Sequence, residues 1–220
     1  MKIACKTFLI VPGLLITISA FGYFFWYKKK FNEKPRNNVF ALTEKKDKDN
    51  RDALVRLYQK VLPAKDYVYA NGFNASICFL IDMRIPSGKK RFFVYDLKND
   101  SVEIAGLVTH GSGSDNDSDE LYFSNKPNSY CTSLGKYKMG SSYYGKFGLA
   151  YKLYGLDKAN SKAFDRFVVL HAHNCVPDTE VSPFPICVSQ GCPTVAPAFL
   201  KRLQMYLDKP GKPILLWIYY

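Results

Sequence analysis

Histidine is scarce in this chain, with only His110, His171 and His173 among 220 residues. Candidates for imidazole chemistry are therefore few, and no H-E-x-x-H pair or cluster of aspartates accompanies them. Cysteine is sparse too. Cys5, Cys78, Cys131, Cys175, Cys187 and Cys192 are too few for a disulfide scaffold at this length. None shows the C-x-x-C spacing of a structural metal site, Cys187 and Cys192 coming nearest. Acidic residues are outnumbered, 19 Asp and Glu against 31 Lys and Arg, for a formal net charge of +12. That surplus favours polyanionic partners. Part of it is local, in Lys28, Lys29, Lys30, Lys34 and Arg36, and no nucleic-acid motif appears, so nucleic acid is not an expected partner. Internal repeats are also lacking, which excludes a solenoid or propeller.

What the chain does have is apolar material, 47% of residues with 15% aromatic, enough to bury one substantial core. Thr7 to Tyr27 carries no charge and lies between Lys2 and Lys6 on one side and Lys28 to Lys30 on the other. At about 1.5 Å per residue it spans the ~30 Å hydrocarbon core of a bilayer, with Trp26 and Tyr27 at the interface. Residues 1–27 are therefore expected to be a membrane anchor; a cleaved signal peptide, with secretion, is the alternative. The basic run after the segment pulls the following domain toward the cytoplasm. Residues 28–50, charged and without apolar periodicity, read as a tether, and 51–220 as the globular domain.

Within that domain "RDALVRLYQKVL" places Ala53, Leu54, Leu57 and Val61 at helical spacing, a short helix expected to close at Pro63. "SICFLIDM", "KRFFVYDL", "SVEIAGLVTH" and the terminal "PILLWIYY" have strand character, and the aromatic block from Tyr130 to Leu156 supplies three more strands. Residues 111–120 read as a mobile polar loop without a core-forming residue. Helical signal returns in "NSKAFDRF" and in "VAPAFLKRLQMYL", where Pro197 suits a first turn. The expected class is mainly β (α+β).

Two placements point to chemistry. "RFVVLHA" delivers His171 at the end of a strand, and Cys192 follows in the turn "SQGCP". A thiol attacks acyl groups as its thiolate, and a nearby imidazole can take the proton. The turn can also aim the amides of Gly191 and Cys192 at one oxyanion. Against this stands the usual fate of cysteine, simple burial. A zinc site is the other chemistry: His171 and His173 alternate on an extended segment and share a face, with His110 or a carboxylate as a third ligand. An exported domain would allow Cys175 and Cys187 to bridge, although no pairing follows from sequence alone.

"VLHAHNCV" and "SQGCPTV", with "VTHGSGS", "FSNKPNSYCTSLGKY" and "YYGKFGLAYKLYGLDKANSKAFDR" in that setting, resemble the YkuD-like L,D-transpeptidase catalytic domain, in its S-x-G-C-P branch. The resemblance runs from about Phe79 to the last helix. It implies a β-sandwich-like domain with a few short helices, no cofactor and no metal, acting on peptidoglycan stem peptides through a Cys192 thioester. It also implies His171 as base, the carbonyl of Ala172 orienting its ring, and Ser189 and Gly191 shaping the turn. His110, His173, Ser124 and Asn125 become possible cleft residues. An L,D-carboxypeptidase and a non-catalytic wall-binding module fit the same fold. The chain departs from the pattern at Ala172, where Gly is expected, at Cys131, where Ser is expected, and at His173 and Cys175. Access to peptidoglycan implies a domain on the periplasmic side of the inner membrane, against the charge bias.

Overall fold

A computed structural model describes residues 21–23, 36–115 and 120–220. The chain divides into two units, Met1–Arg51 and Asp52–Tyr220. Apart from residues 21–23, the apolar segment at 7–27 lies outside the described residues, and with it the anchor expectation. No helix among the described residues is long and apolar enough to cross a membrane.

Helix α1 (Arg36–Ala70) is followed by strands β1 (Ile77–Asp82), β2 (Phe92–Asp96), β3 (Ser101–Gly106), β4 (Gly135–Gly145), β5 (Gly148–Gly155), β6 (Val169–Ala172) and β7 (Thr194–Val195). Helix α2 (Pro197–Leu207) and strand β8 (Leu215–Tyr219) complete the order. The strands form one eight-stranded sheet, β3-β2-β1-β8-β4-β5-β6-β7. The expected sandwich is thus corrected to one mixed sheet, with helices α1 and α2, among the described residues. The physical reason is the final strand: β8 pairs parallel to β1 and antiparallel to β4, joining what would otherwise be two sheets.

Both faces of the sheet are covered here, so β1 is apolar from Ile77 to Ile81, before the buried Asp82 that ends it. Its alternate residues serve two cores. Cys78 and Leu80 face α1, whereas Phe79 and Ile81 join Phe92, Tyr137 and the α2 residues Phe199, Leu200 and Leu203. Helix α1 buries Leu57, Val61, Ala64 and Val68, a 4-3-4 stripe.

That stripe corrects the expected helix, which does not close at Pro63 but continues to Ala70. Pro63 is exposed, as is Gln59, whose carbonyl its missing N–H leaves free, so water can solvate the gap. Burying Leu57, Val61 and Val68 at roughly 1.5–3 kcal/mol each outweighs a proline cost of about 3 kcal/mol. Residues 36–50, part of the expected tether, are helical as well.

Three further expectations change. The Tyr130–Leu156 block makes two strands instead of three, because Thr132 and Ser133 spend their hydroxyls on loop backbone: Gly111 N–H donates to Thr132 Oγ1 and Ser133 Oγ donates to the Ser124 carbonyl. "NSKAFDRF" makes no α-helix: a 3-10 turn at Lys158–Asn160 ends on its first residue, and residues 161–167 run on as turns. There the buried Asn160 amide donates to the Lys136 carbonyl at 2.8 Å, a tertiary bond that outcompetes helix propensity. In the polar loop, Gly111 to Ser114 are anchored: Ser114 is fully buried and its Oγ accepts the Thr132 N–H at 2.9 Å. Residues 116–119 lie outside the described set.

Leu57→Ala is expected to cost about 2–5 kcal/mol, as a buried leucine truncation does, while Leu54→Ala on the exposed side stays within about 0.5 kcal/mol. Urea unfolding of the two variants measures both.

Candidate active site

Strands β6 and β7 create the site. They pair in parallel with His171 opposite Thr194 and Ala172 opposite Val195, so residues 23 apart in sequence become neighbours on one face. Cys192, two residues before Thr194, enters the same cleft. The cleft has a volume of about 680 Å³ and is lined by His171, His173, Cys192, Arg166, Phe147 and Phe167 among others.

The hydrogen bonds of His171 define its tautomer. Nδ1 lies 3.1 Å from the Ala172 carbonyl, which only accepts, so Nδ1 carries the proton. Nε2 is then a lone pair, and the Thr194 hydroxyl donates to it at 3.0 Å. The Phe147 ring, at the tip of the β4–β5 hairpin, stacks on the imidazole at 4.7 Å. Burial lowers the His171 pKa and nearby His173 adds to that, while the Ala172 carbonyl opposes both. The group is therefore a neutral base at neutral pH.

Hydroxyls hold the turn that carries Cys192. Ser189 Oγ donates to the Cys192 carbonyl at 2.6 Å and accepts the Gly191 N–H at 3.1 Å. Thr109 Oγ1 donates to the same carbonyl at 3.2 Å and accepts the Thr194 N–H at 3.1 Å. The Gly191 amide, expected to serve an oxyanion, is thus committed to Ser189. The Cys192 amide has no protein acceptor among the described residues. Gly191 sits at φ +108°, and a Cβ there would lie 2.8 Å from the Cys131 carbonyl, so glycine is required.

Cys192 is half-buried, and its Sγ lies 3.7 Å from the Phe167 carbonyl. Burial raises its pKa, with a Val169 backbone hydrogen bond and the charge of Arg166 pulling the other way. Thiol and imidazole are both uncharged at rest.

Other expected residues are placed differently. His173 lines the cleft, and its Nδ1 accepts the Cys175 N–H at 3.1 Å. His110 is buried behind it. Arg91, always a donor, binds His110 Nδ1 at 3.0 Å, so Nε2–H points at Asp115, 2.7 Å away. Both ring nitrogens are engaged, which removes His110 as partner of the other two histidines. Its carbonyl instead accepts the Ser189 N–H at 2.9 Å. Ser124 and Asn125 border a separate hollow with Phe123 and Lys162. Asn125 ties its loop to the Lys158 carbonyl and Ser161. Cys175 and Cys187 form a disulfide, and Cys175 lines the cleft.

Sequence reasoning assigned no role to Thr109, Thr194, Phe147 or Arg166. Thr194 had a signal, its position two residues beyond Cys192 on an extended run. Arg166 had none: its acceptors Ser124 O, Cys131 O, Ser129 Oγ and Ser133 Oγ all come from a loop 33 to 42 residues earlier.

The L,D-transpeptidase catalytic domain family matches residues 49–217, well over half of the sequence, and the chain belongs to that family. It is a peptidoglycan-modifying family, acting on stem peptides in the cell envelope. A comparison with curated proteins found no match. Among solved structures the chain is similar to the helical cell shape determining protein Pgp2 from Campylobacter jejuni, at 11% identity over 65% of this chain and 47% of that one, TM-score 0.41. It is also similar to an L,D-transpeptidase from Xylanimonas cellulosilytica, at 13% over 70% and 68%, TM-score 0.37. Bd1075 from Bdellovibrio bacteriovorus is a third, at 16% over 66% and 49%, TM-score 0.40. The chain spans about half the length of the Campylobacter and Bdellovibrio proteins.

Gly191→Ala is expected to destabilise the domain by about 1–3 kcal/mol, since a side chain is forced into a conformation only glycine takes easily. A thermal melt compared with wild type measures the loss.

Proposed function

We propose that this protein is an L,D-transpeptidase in which Cys192 is the nucleophile and His171 the general base. The observation that carries the reading is the β6–β7 register, which sets a neutral imidazole, its Nε2 lone pair accepting the Thr194 hydroxyl, in the same cleft as a half-buried thiol. When a stem peptide enters, Nε2 exchanges the Thr194 hydroxyl for the Cys192 proton. The sulfur attacks the carbonyl joining the L-centre to the D-residue, and the imidazolium returns the proton to the departing amine. A thioester remains on Cys192. The amine of a second stem then attacks it, gives its proton to His171 and frees the thiol; water in the same place makes the reaction a carboxypeptidation. The Cys192 amide, without an acceptor among the described residues, is the donor for the tetrahedral oxyanion.

The same reading places the domain outside the cytoplasmic membrane, tethered by the apolar segment at 7–27. The Cys175–Cys187 disulfide supports it, because such bonds persist in oxidising compartments.

The test incubates the full-length chain with tetrapeptide muropeptides and reads products and protein mass. An acyl adduct on Cys192 with loss of the terminal D-residue is expected, and crosslinked dimers mark an amine acceptor. Cys192→Ala should abolish turnover and His171→Gln should reduce it by about 10²–10⁴-fold, the usual worth of a general base. Undiminished turnover in Cys192→Ala would remove the reading.

A pH dependence follows from the lowered His171 pKa. The base works only when neutral, and burial keeps it neutral below the ordinary value of about 6.5. The acid limb of the rate profile should therefore fall below pH 6.5, as rates measured from pH 5 to 8 will reveal.

A further inference from the structure

The titratable side chains lining the cleft around Cys192 are Tyr130, Lys146, Asp165, Arg166, His171 and His173. Arg166 differs from the rest in that the protein uses all its terminal N–H groups. Nη1 donates to the Ser124 carbonyl at 2.9 Å and to Ser133 Oγ at 2.5 Å. Nη2 donates to the Cys131 carbonyl at 2.8 Å and to Ser129 Oγ at 3.3 Å. No terminal donor is left for a substrate carboxylate, so binding one is not its task. All four acceptors are neutral, and among the described residues no carboxylate forms an ion pair with Arg166. The result is a full positive charge, fixed in place and without a carboxylate ion-pair partner among the described residues.

That charge sits against the nucleophile turn. A Cβ built on Gly191 would lie 3.4 Å from Arg166 Nη2, so the guanidinium abuts the residue before Cys192. The Cys131 carbonyl, which Arg166 holds, is the atom that confines Gly191 from the same side.

We propose that Arg166 is a positioning residue whose fixed charge stabilises the anion developing on Cys192 Sγ as its proton passes to His171. The proposal rests on Cys192 being the nucleophile. A preorganised charge in a partly desolvated site does this without reorganising at the moment of reaction. The pull of Arg166 on the Cys192 thiol, opposing the rise caused by burial, agrees with that role.

The experiment measures iodoacetamide alkylation of Cys192 against pH in the full-length chain, with sites assigned by peptide mass spectrometry. Wild type, Arg166→Lys and Arg166→Met are compared, Arg166→Gln replacing the last if its thermal melt shows no folded state. Arg166→Met should move the midpoint upward and react about tenfold more slowly at a fixed pH below it, one pKa unit being a factor of ten. Arg166→Lys, which keeps the charge and loses the fork, should keep the wild-type midpoint. Equal shifts in the Lys and Met variants would reduce Arg166 to a scaffold residue, and no shift in either would overturn the proposal. Muropeptide turnover is measured alongside. Wild-type turnover that survives Cys192→Ala defeats the nucleophile reading itself, whereas Cys192-dependent turnover with an unmoved midpoint defeats only the role of Arg166.

Discussion

The short parallel pairing of β6 with β7 is the constraint on which the site depends. Only two residue pairs make it, His171 with Thr194 and Ala172 with Val195, yet it sets the depth and the face at which Cys192 emerges. Because side chains alternate along an extended segment, a slip of one residue would turn Thr194 away from the imidazole. So short a ladder cannot hold its register alone. The Val108 bridge to Val195, the Gly111 bridge to Ser189 and the reciprocal bonds between Thr109 and Thr194 lock it from the other side. The backbone of 108–113 thus acts as a template for the Cys192 turn.

That template explains the chain from the buried Arg91 through the buried His110 to Asp115 at the surface. Arg91 spends its donors on the Val108 and Ile85 carbonyls and on His110 Nδ1, which fixes the 108–110 backbone and the His110 ring together. Burial and the Arg91 charge both depress the His110 pKa, so the ring stays neutral and keeps accepting from Arg91. Rigidity then passes through the His110 carbonyl to Ser189, and from the Ser189 hydroxyl to the Cys192 carbonyl. Support of this kind holds a site within the narrow tolerance that chemistry needs.

The strands were legible where burial leaves an unambiguous pattern. β1, β2 and β8 are apolar runs bounded by turn residues, and no helix of that length would suit them. His171 and Cys192 were legible because strand-end histidine and a Gly-Pro turn around a thiol are local patterns. The length of α1 was hidden by Pro63, whose cost is a local rule, while the stripe that overrides it is seen only once the β1–β8 surface is known. "NSKAFDRF" misled in the opposite direction, since the bond from Asn160 to Lys136 spans 24 residues. The commitment of the Gly191 amide to Ser189, and of Arg166 to the 124–133 loop, depends on contacts that no spacing rule encodes.

Magnitudes indicate why the resting pair is uncharged. Desolvating a thiolate and an imidazolium costs several kcal/mol per ion, which their mutual attraction repays only with excellent geometry. In this cleft Nε2 faces Thr194 and Sγ faces the Phe167 carbonyl, so that geometry is absent at rest and the neutral forms win. In the proposed reaction, charge separation is therefore deferred until an acyl carbonyl can accept the electrons. Arg166 bears its own desolvation in advance, offset by four neutral acceptors bound at folding. In the proposed role its field lowers the cost of the sulfur anion, while burial, the larger effect, keeps the resting thiol protonated and leaves little thiolate for oxidants to consume between turnovers.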